Sequence, residues 1–248
     1  MGEERESIWE HVGDLAHCAK VSIISVFVSS LIVSFIPIQV NPSYISLLEF
    51  ALRKVQADLL PEGATLIAST WIDVLWVYIL LALLLGFALA SPVVAYEAYK
   101  FIAPALYPHE KRYAFWFIFP FILLFTLGSA FSYFLLLPLT YKILIKFVYS
   151  AGAAPLFSIM DFFSFTILVT LAVGLMFTFP VFTTLLVKMG VISPSDLASK
   201  RKEAIVGLLI LTAVITPDTS GVTMIIFFIP LMALYELAIL AGKIAYRK

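Results

Sequence analysis

Six long apolar runs divide the chain, at roughly 20–38, 72–95, 113–141, 162–187, 204–215 and 222–241, and three of them (113–141, 162–187 and 204–215) contain no Asp, Glu, Lys or Arg. In hydrocarbon an unpaired backbone N–H or C=O costs several kcal/mol, so runs of this kind are read as helices that satisfy their own peptide groups. A bilayer core of about 30 Å takes about 20 apolar residues per crossing. Composition agrees: 62% of the 248 residues are hydrophobic and 13% are charged, about half the charged share of an average soluble domain. The expectation is an all-α integral membrane protein with six transmembrane helices, forming one polytopic membrane domain over residues 1–248. The fifth run has twelve residues between Glu203 and Thr216, about 18 Å of helix, too short to cross alone. The fifth and sixth helices are therefore expected to be short, in a concave bundle that thins the membrane locally.

Lys and Arg set the orientation, because they gather in cytoplasmic loops and helix ends. With the N-terminus inside, twelve fall on the inner side, from Arg5 and Lys20 through Lys100, Lys111, Arg112, Lys188, Lys200, Arg201 and Lys202 to Lys243, Arg247 and Lys248. Four fall outside: Arg53, Lys54, Lys142 and Lys146. Both termini are thus expected in the cytoplasm. The first fifteen residues hold Glu3, Glu4, Glu6, Glu10 and Asp14 against Arg5, opposite to a basic signal-peptide start, so no cleavage is expected. The outer loop 39–70 carries Pro42, Pro61 and Gly63 around a helical-looking stretch, 45–60, and is expected to form a cap of one or two interfacial helices. Gly86, Gly128 and Gly174 offer places where helix backbones approach closely.

Several chemistries lack their motifs. There is neither a G-x-x-x-x-G-K-[ST] loop nor a G-x-G-x-x-G to cradle phosphates. His11, His17 and His109 lie outside the runs, and Cys18 is the only cysteine, so no zinc site and no internal disulfide are expected. A balance of sixteen basic and sixteen acidic side chains gives no support for a nucleic-acid partner. No enzyme activity and no cofactor are expected. A small-solute secondary transporter would show paired, broken, polar helices in two related halves, and none is found. A membrane scaffold remains a rival reading, in which the surface acids have no role.

The informative polar residues sit at the inner ends of the runs: Glu10, His11 and Asp14 before the first, and Pro108 to Arg112 before the third. Three segments, FIAPALYPHEKR (101–112), ITPDTSG (215–221) and IPLMALYE (229–236), together with their order and the six runs around them, resemble the TatC family of the twin-arginine protein translocase. The resemblance covers nearly the whole chain. It implies a multi-pass protein of the cytoplasmic (inner) membrane that binds the twin-arginine signal peptides of folded cargo. Export would be driven by the proton-motive force, in an oligomeric complex with single-span TatA or TatB-like subunits.

By the same resemblance the arginines are read by Asp14, in HVGDLA, and by Glu110, in PHEKR, with Phe101 supporting signal binding. Tyr133 and Asp218 match positions used on the outer side, and Asp218 also suits a helix cap. Glu236 is expected to snorkel or to pair with Lys243. A carboxylate accepts a forked, bidentate contact from a guanidinium that an ammonium cannot reproduce, so arginine should be favoured over lysine. The sequence departs from the family where Ala16, His17 and Cys18 stand in place of arginines. It also has Met176 to Phe179 where a glutamate usually precedes the proline of the fourth span, and lacks a glutamine after Pro217-Asp218.

Overall fold

The computed structural model describes residues 2–39, 45–102, 114–188, 190–215 and 221–246. In chain order these form α1 (Gly2–Phe35), β1 (Pro37–Gln39), β2 (Ile45–Ser46), α2 (Leu47–Leu59), β3 (Thr65–Ile67) and α3 (Asp73–Ile102). Then come α4 (Ala114–Phe131), a π-helical turn (Ser132–Leu136), α5 (Leu137–Ser150), β4 (Leu156–Ser158) and α6 (Ile159–Phe177). The chain ends with α7 (Phe179–Lys188), α8 (Pro194–Ser199), α9 (Arg201–Ile215) and α10 (Val222–Tyr246).

Five segments are long and apolar enough to cross a membrane: Gly13–Phe35, Asp73–Phe101, Phe117–Ser150, Ile159–Lys188 and Val222–Ile244. The remaining expected span, α9, has 15 residues, about 22 Å, and falls short as its sequence required. The last helix does not. α10 has 25 residues, about 37 Å, longer than the hydrocarbon core, where a short sixth helix was expected. Gly242 lies inside this helix, where an added Cβ would meet Val187 at 3.3 Å.

Prolines inside the runs shape the helices that carry them. Pro92 has no N–H for the Ala88 carbonyl, but the Ser91 hydroxyl donates to that oxygen at 2.8 Å. With the orphan acceptor satisfied, α3 runs on to Ile102 instead of stopping near Ala95. Before Pro138 the helix absorbs the missing donor differently. The Leu137 N–H reaches back five residues to the Ser132 carbonyl, giving a π turn that joins α4 to α5. At Pro180 the helix breaks: the backbone N–H and hydroxyl of Thr178 both turn back to the Leu175 carbonyl, and α7 starts afresh at Phe179.

The chain divides into two compact units, Met1–Phe50 with Leu81–Ile122, and Ala51–Leu80 with Leu123–Lys248. In the first, Ala82, Gly86 and Ala90 recur every fourth residue on the buried face of α3, leaving room for a neighbouring backbone. At Gly86 a Cβ would collide with the Oγ of Ser30 and come within 2.7 Å of its Cα, so α1 and α3 touch there backbone to backbone. The other face of α1 is apolar and open, with Ile23, Phe27, Leu31 and Phe35 exposed as lipid-facing side chains are. β1 and β2 pair antiparallel after α1.

In the second unit β3 and β4 pair in parallel, with Thr65 opposite Leu156 and Ile67 opposite Ser158. Close packing recurs where α4 meets α6, since a Cβ on Gly128 would lie 2.6 Å from Phe177 and one on Gly174 would lie 2.8 Å from Phe125. The buried hydroxyls of Ser129, Ser132 and Ser164 have no hydrogen-bond partner among the described residues, whereas the buried threonines and Tyr141 find theirs within the helices. Thr140, Thr166 and Thr170 each donate to the carbonyl one turn back. The Tyr141 hydroxyl bonds the Phe162 carbonyl at 2.9 Å and Thr166 Oγ1 at 2.8 Å. α10 packs against α7, α8 and α9, and the Tyr235 hydroxyl ties it to the Leu197 carbonyl at 2.7 Å.

Candidate functional site

In the first unit, two pairs of residues, each spaced one helical turn apart, are brought together by α1 and α3. Asp14 and Cys18 are four residues apart on α1, so their side chains share a face. Glu97 and Phe101 stand in the same relation on α3. The pairs meet because the Cys18 thiol donates to the Glu97 carboxylate. Asp14 is exposed, Phe101 is half-buried, and Cys18 and Glu97 are buried at 8% and 6% exposure. The Lys100 ammonium stands 3.8 Å from Glu97 Oε2, beyond hydrogen-bond length, and that oxygen has no hydrogen-bond partner among the described residues. The end of α3 is held by aromatic packing, Tyr99 on Phe117 at 6.1 Å and Phe117 on Phe121 at 6.3 Å. Glu110, the other acid expected to read arginine, lies outside the described residues, as does Asp218.

Glu97 was missed by sequence reasoning, which ended the second run at Ala95 and so placed this acid in a loop. The available signal was an ionisable residue three positions before Lys100 in an otherwise apolar and aromatic stretch. Acids of that kind, once inside a helix at the membrane, are expensive to bury and tend to have a function.

In the second unit, Tyr133 lies in the π turn and donates its hydroxyl to Asp58 Oδ2 of α2 at 2.8 Å. Lys54 donates to the other oxygen of Asp58 at 2.9 Å, and these two bonds hold the Asp58 carboxyl below the usual carboxylate range. Tyr133 thus joins the long helix to α2. Elsewhere in this unit Glu236 takes a forked contact from Arg201, Nε to Oε1 at 2.7 Å and Nη2 to Oε2 at 2.8 Å. This corrects the expected pairing with Lys243, because the planar guanidinium at the start of α9 matches both carboxylate oxygens and an ammonium on the same helix cannot. Thr178, within the Met176 to Phe179 stretch that lacks a glutamate, is 2% exposed and satisfied within its own helix. Beside it α6, α7, α9 and α10 form an open apolar groove of about 550 Å³ lined by Leu175, Phe179, Gly207, Leu211, Leu231 and Tyr235. Among the described residues, no group of three or more His, Cys, Asp or Glu side chains could hold a metal ion.

Residues 10–230 match the family model of the Sec-independent protein translocase protein (TatC). The chain is 42% identical over 175 residues to the Sec-independent protein translocase protein TatC of Aquifex aeolicus, covering 70% of this chain and 72% of that one. It is 35% identical over 184 residues to TatCy of Bacillus subtilis, covering 74% and 72%. The TatC of Desulforapulum autotrophicum is 30% identical over 254 residues, covering 99% of this chain and 87% of its own. A crystal structure of the twin-arginine translocase receptor TatC superposes with a TM-score of 0.80 at 35% identity, covering 95% of this chain and 99% of that one. By sequence and by fold, the chain belongs to the TatC family.

Proposed function

We propose that this translocase subunit is the receptor for twin-arginine signal peptides and supports the proton-motive-force-driven export of their folded cargo. The observation that carries the reading is the contact of Cys18 on α1 with Glu97 on α3, each one helical turn from Asp14 and Phe101 respectively. It sets an exposed carboxylate and an aromatic ring on faces joined at their buried ends. Asp14 and Glu110 take the two guanidinium groups and Phe101 packs against the signal beside them. A charge-assisted hydrogen bond in a partly shielded groove contributes about 1.5–3 kcal/mol, so losing one such contact weakens arginine binding about tenfold or more. Hydrophobic contact with the apolar part of the signal adds affinity without discriminating arginine from lysine.

The same reading places both chain ends in the cytoplasm. It counts six membrane segments, with the short α9 thinning the membrane locally, and it assigns Tyr133 and Asp218 to the outer side. Single-span TatA or TatB-like subunits complete the transport complex.

The test is binding of a labelled twin-arginine signal peptide and its twin-lysine version to the purified protein and to Asp14→Ala and Glu110→Ala. Arginine should bind more tightly, and either variant should erase most of that preference. Equal binding of both peptides to the unaltered protein would reject the receptor reading.

A further inference from the structure

Glu97 is more than nine-tenths buried, yet one of its carboxylate oxygens lacks a hydrogen-bond partner among the described residues. A buried carboxylate left half-satisfied is costly unless a cation completes it. The cation beside it among the described residues, Lys100, is a poor fit. Lys100 is about half exposed, lies three residues along the same helix and stays 3.8 Å away. The carboxylate is directed at the α1 face that carries Cys18 and, one turn towards the N-terminus, Asp14.

We infer that Glu97 is a third guanidinium-reading carboxylate of the receptor site, and that Lys100 occupies its place until an arginine displaces it. This deepens the signal-peptide reading and rests on it. The exchange follows from donor geometry. A guanidinium offers parallel N–H donors to both oxygens of a carboxylate, whereas the ammonium of Lys100 is a single strongly hydrated point. A guanidinium arriving at Asp14 is one helical turn from the α1 position that contacts Glu97. Replacing a long ammonium contact with a forked guanidinium contact removes the unsatisfied oxygen without exposing the carboxylate. An incoming lysine gains nothing over Lys100, so the site discriminates by exchange as well as by attraction.

The experiment measures the ratio of twin-lysine to twin-arginine dissociation constants for the full chain and for Glu97→Gln, Lys100→Gln, Asp14→Asn and Glu110→Gln. Glu97→Gln should lower the ratio about tenfold, through weaker arginine binding at nearly constant lysine binding. Lys100→Gln, at an exposed position, should tighten binding of both peptides, because neither has to displace the resident ammonium. A general loss of folding moves both peptides together and leaves the ratio unchanged. If Glu97→Gln keeps the full ratio while Asp14→Asn and Glu110→Gln lower it, the inference is wrong and the receptor reading stands. If Glu97→Gln does not yield folded protein, Lys100→Gln decides: tighter binding of both peptides supports the exchange and unaltered binding overturns it. A full-length protein with no arginine preference overturns both.

Discussion

Two tyrosines in the second unit use the same hydroxyl chemistry in different surroundings, and the difference decides what each removal should do. Tyr141 is 4% exposed, and its hydroxyl joins α5 to α6 where water does not compete. Tyr141→Phe should therefore cost about 0.5–1.5 kcal/mol, read as a lower unfolding midpoint in detergent at any pH between 5 and 8. Tyr133 instead bonds a carboxylate that Lys54 also contacts, and Asp58 is held below its ordinary value by both. A carboxyl with a lowered folded-state pKa contributes stability that is fully present above its unfolded value, near 3.9, and is lost as pH falls through the folded one. Tyr133→Phe should thus be less stable than the parent at pH 7, and the gap should close as the pH is taken below about 4. A gap that stays constant across this range would show that the tyrosine acts by packing alone.

At the scale of helices, contact distance separates glycines that must stay from one that need not. A side chain on Gly86 would meet the backbone of Ser30, which has no rotamer to escape into, whereas nothing lies within 4 Å of a Cβ on Gly207. Gly86→Val should destabilise by about 1–3 kcal/mol or more, while Gly207→Ala should stabilise by roughly 0.5–1 kcal/mol through helix propensity. Thermal unfolding of the two variants in one detergent is the check. The close-packing role of Gly86, Gly128 and Gly174 was legible in the sequence, because small residues inside lipid-buried helices have few other uses. Helix positions were legible for the same reason: apolar runs leave the backbone no other way to satisfy itself. Helix ends were not. Whether a proline ends a helix depends on who takes the abandoned carbonyl, and sequence reading alone did not weigh that Ser91 would rescue Ala88 or that the turn before Pro138 would open into a π form. Long-range pairs were hidden too. Asp58 and Tyr133 are 75 residues apart and Arg201 and Glu236 are 35 apart, distances at which local spacing carries no information. Asp14 and Phe101 were singled out by their motifs, whereas Glu97 drew attention only when α3 proved long enough to carry it inside.

For the whole molecule, the informative mismatch is between α9 and its neighbour α10. The two pack together, yet one has 15 residues and the other 25. On the proposed reading that α9 enters the membrane, a segment of about 22 Å beside one of about 37 Å means that lipid around α9 thins or α9 ends within the membrane. If thinning assists passage of folded cargo, the shortness of α9 is part of the mechanism. Inserting four apolar residues after Leu209 adds about 6 Å and brings α9 close to the hydrocarbon thickness. At a fraction of a kcal/mol per Å, relieving that mismatch changes the local membrane energy by roughly 1–3 kcal/mol, enough to slow transport about tenfold or more. Binding of a twin-arginine peptide should be unaffected, since Asp14, Glu97 and Phe101 belong to the other compact unit. The decisive comparison is export of a folded fluorescent cargo against peptide binding in the same lengthened protein. Binding retained with export lost supports a thinning role. Export at the parent rate through a lengthened α9 would show that the short helix is a packing feature and that the route for cargo lies elsewhere.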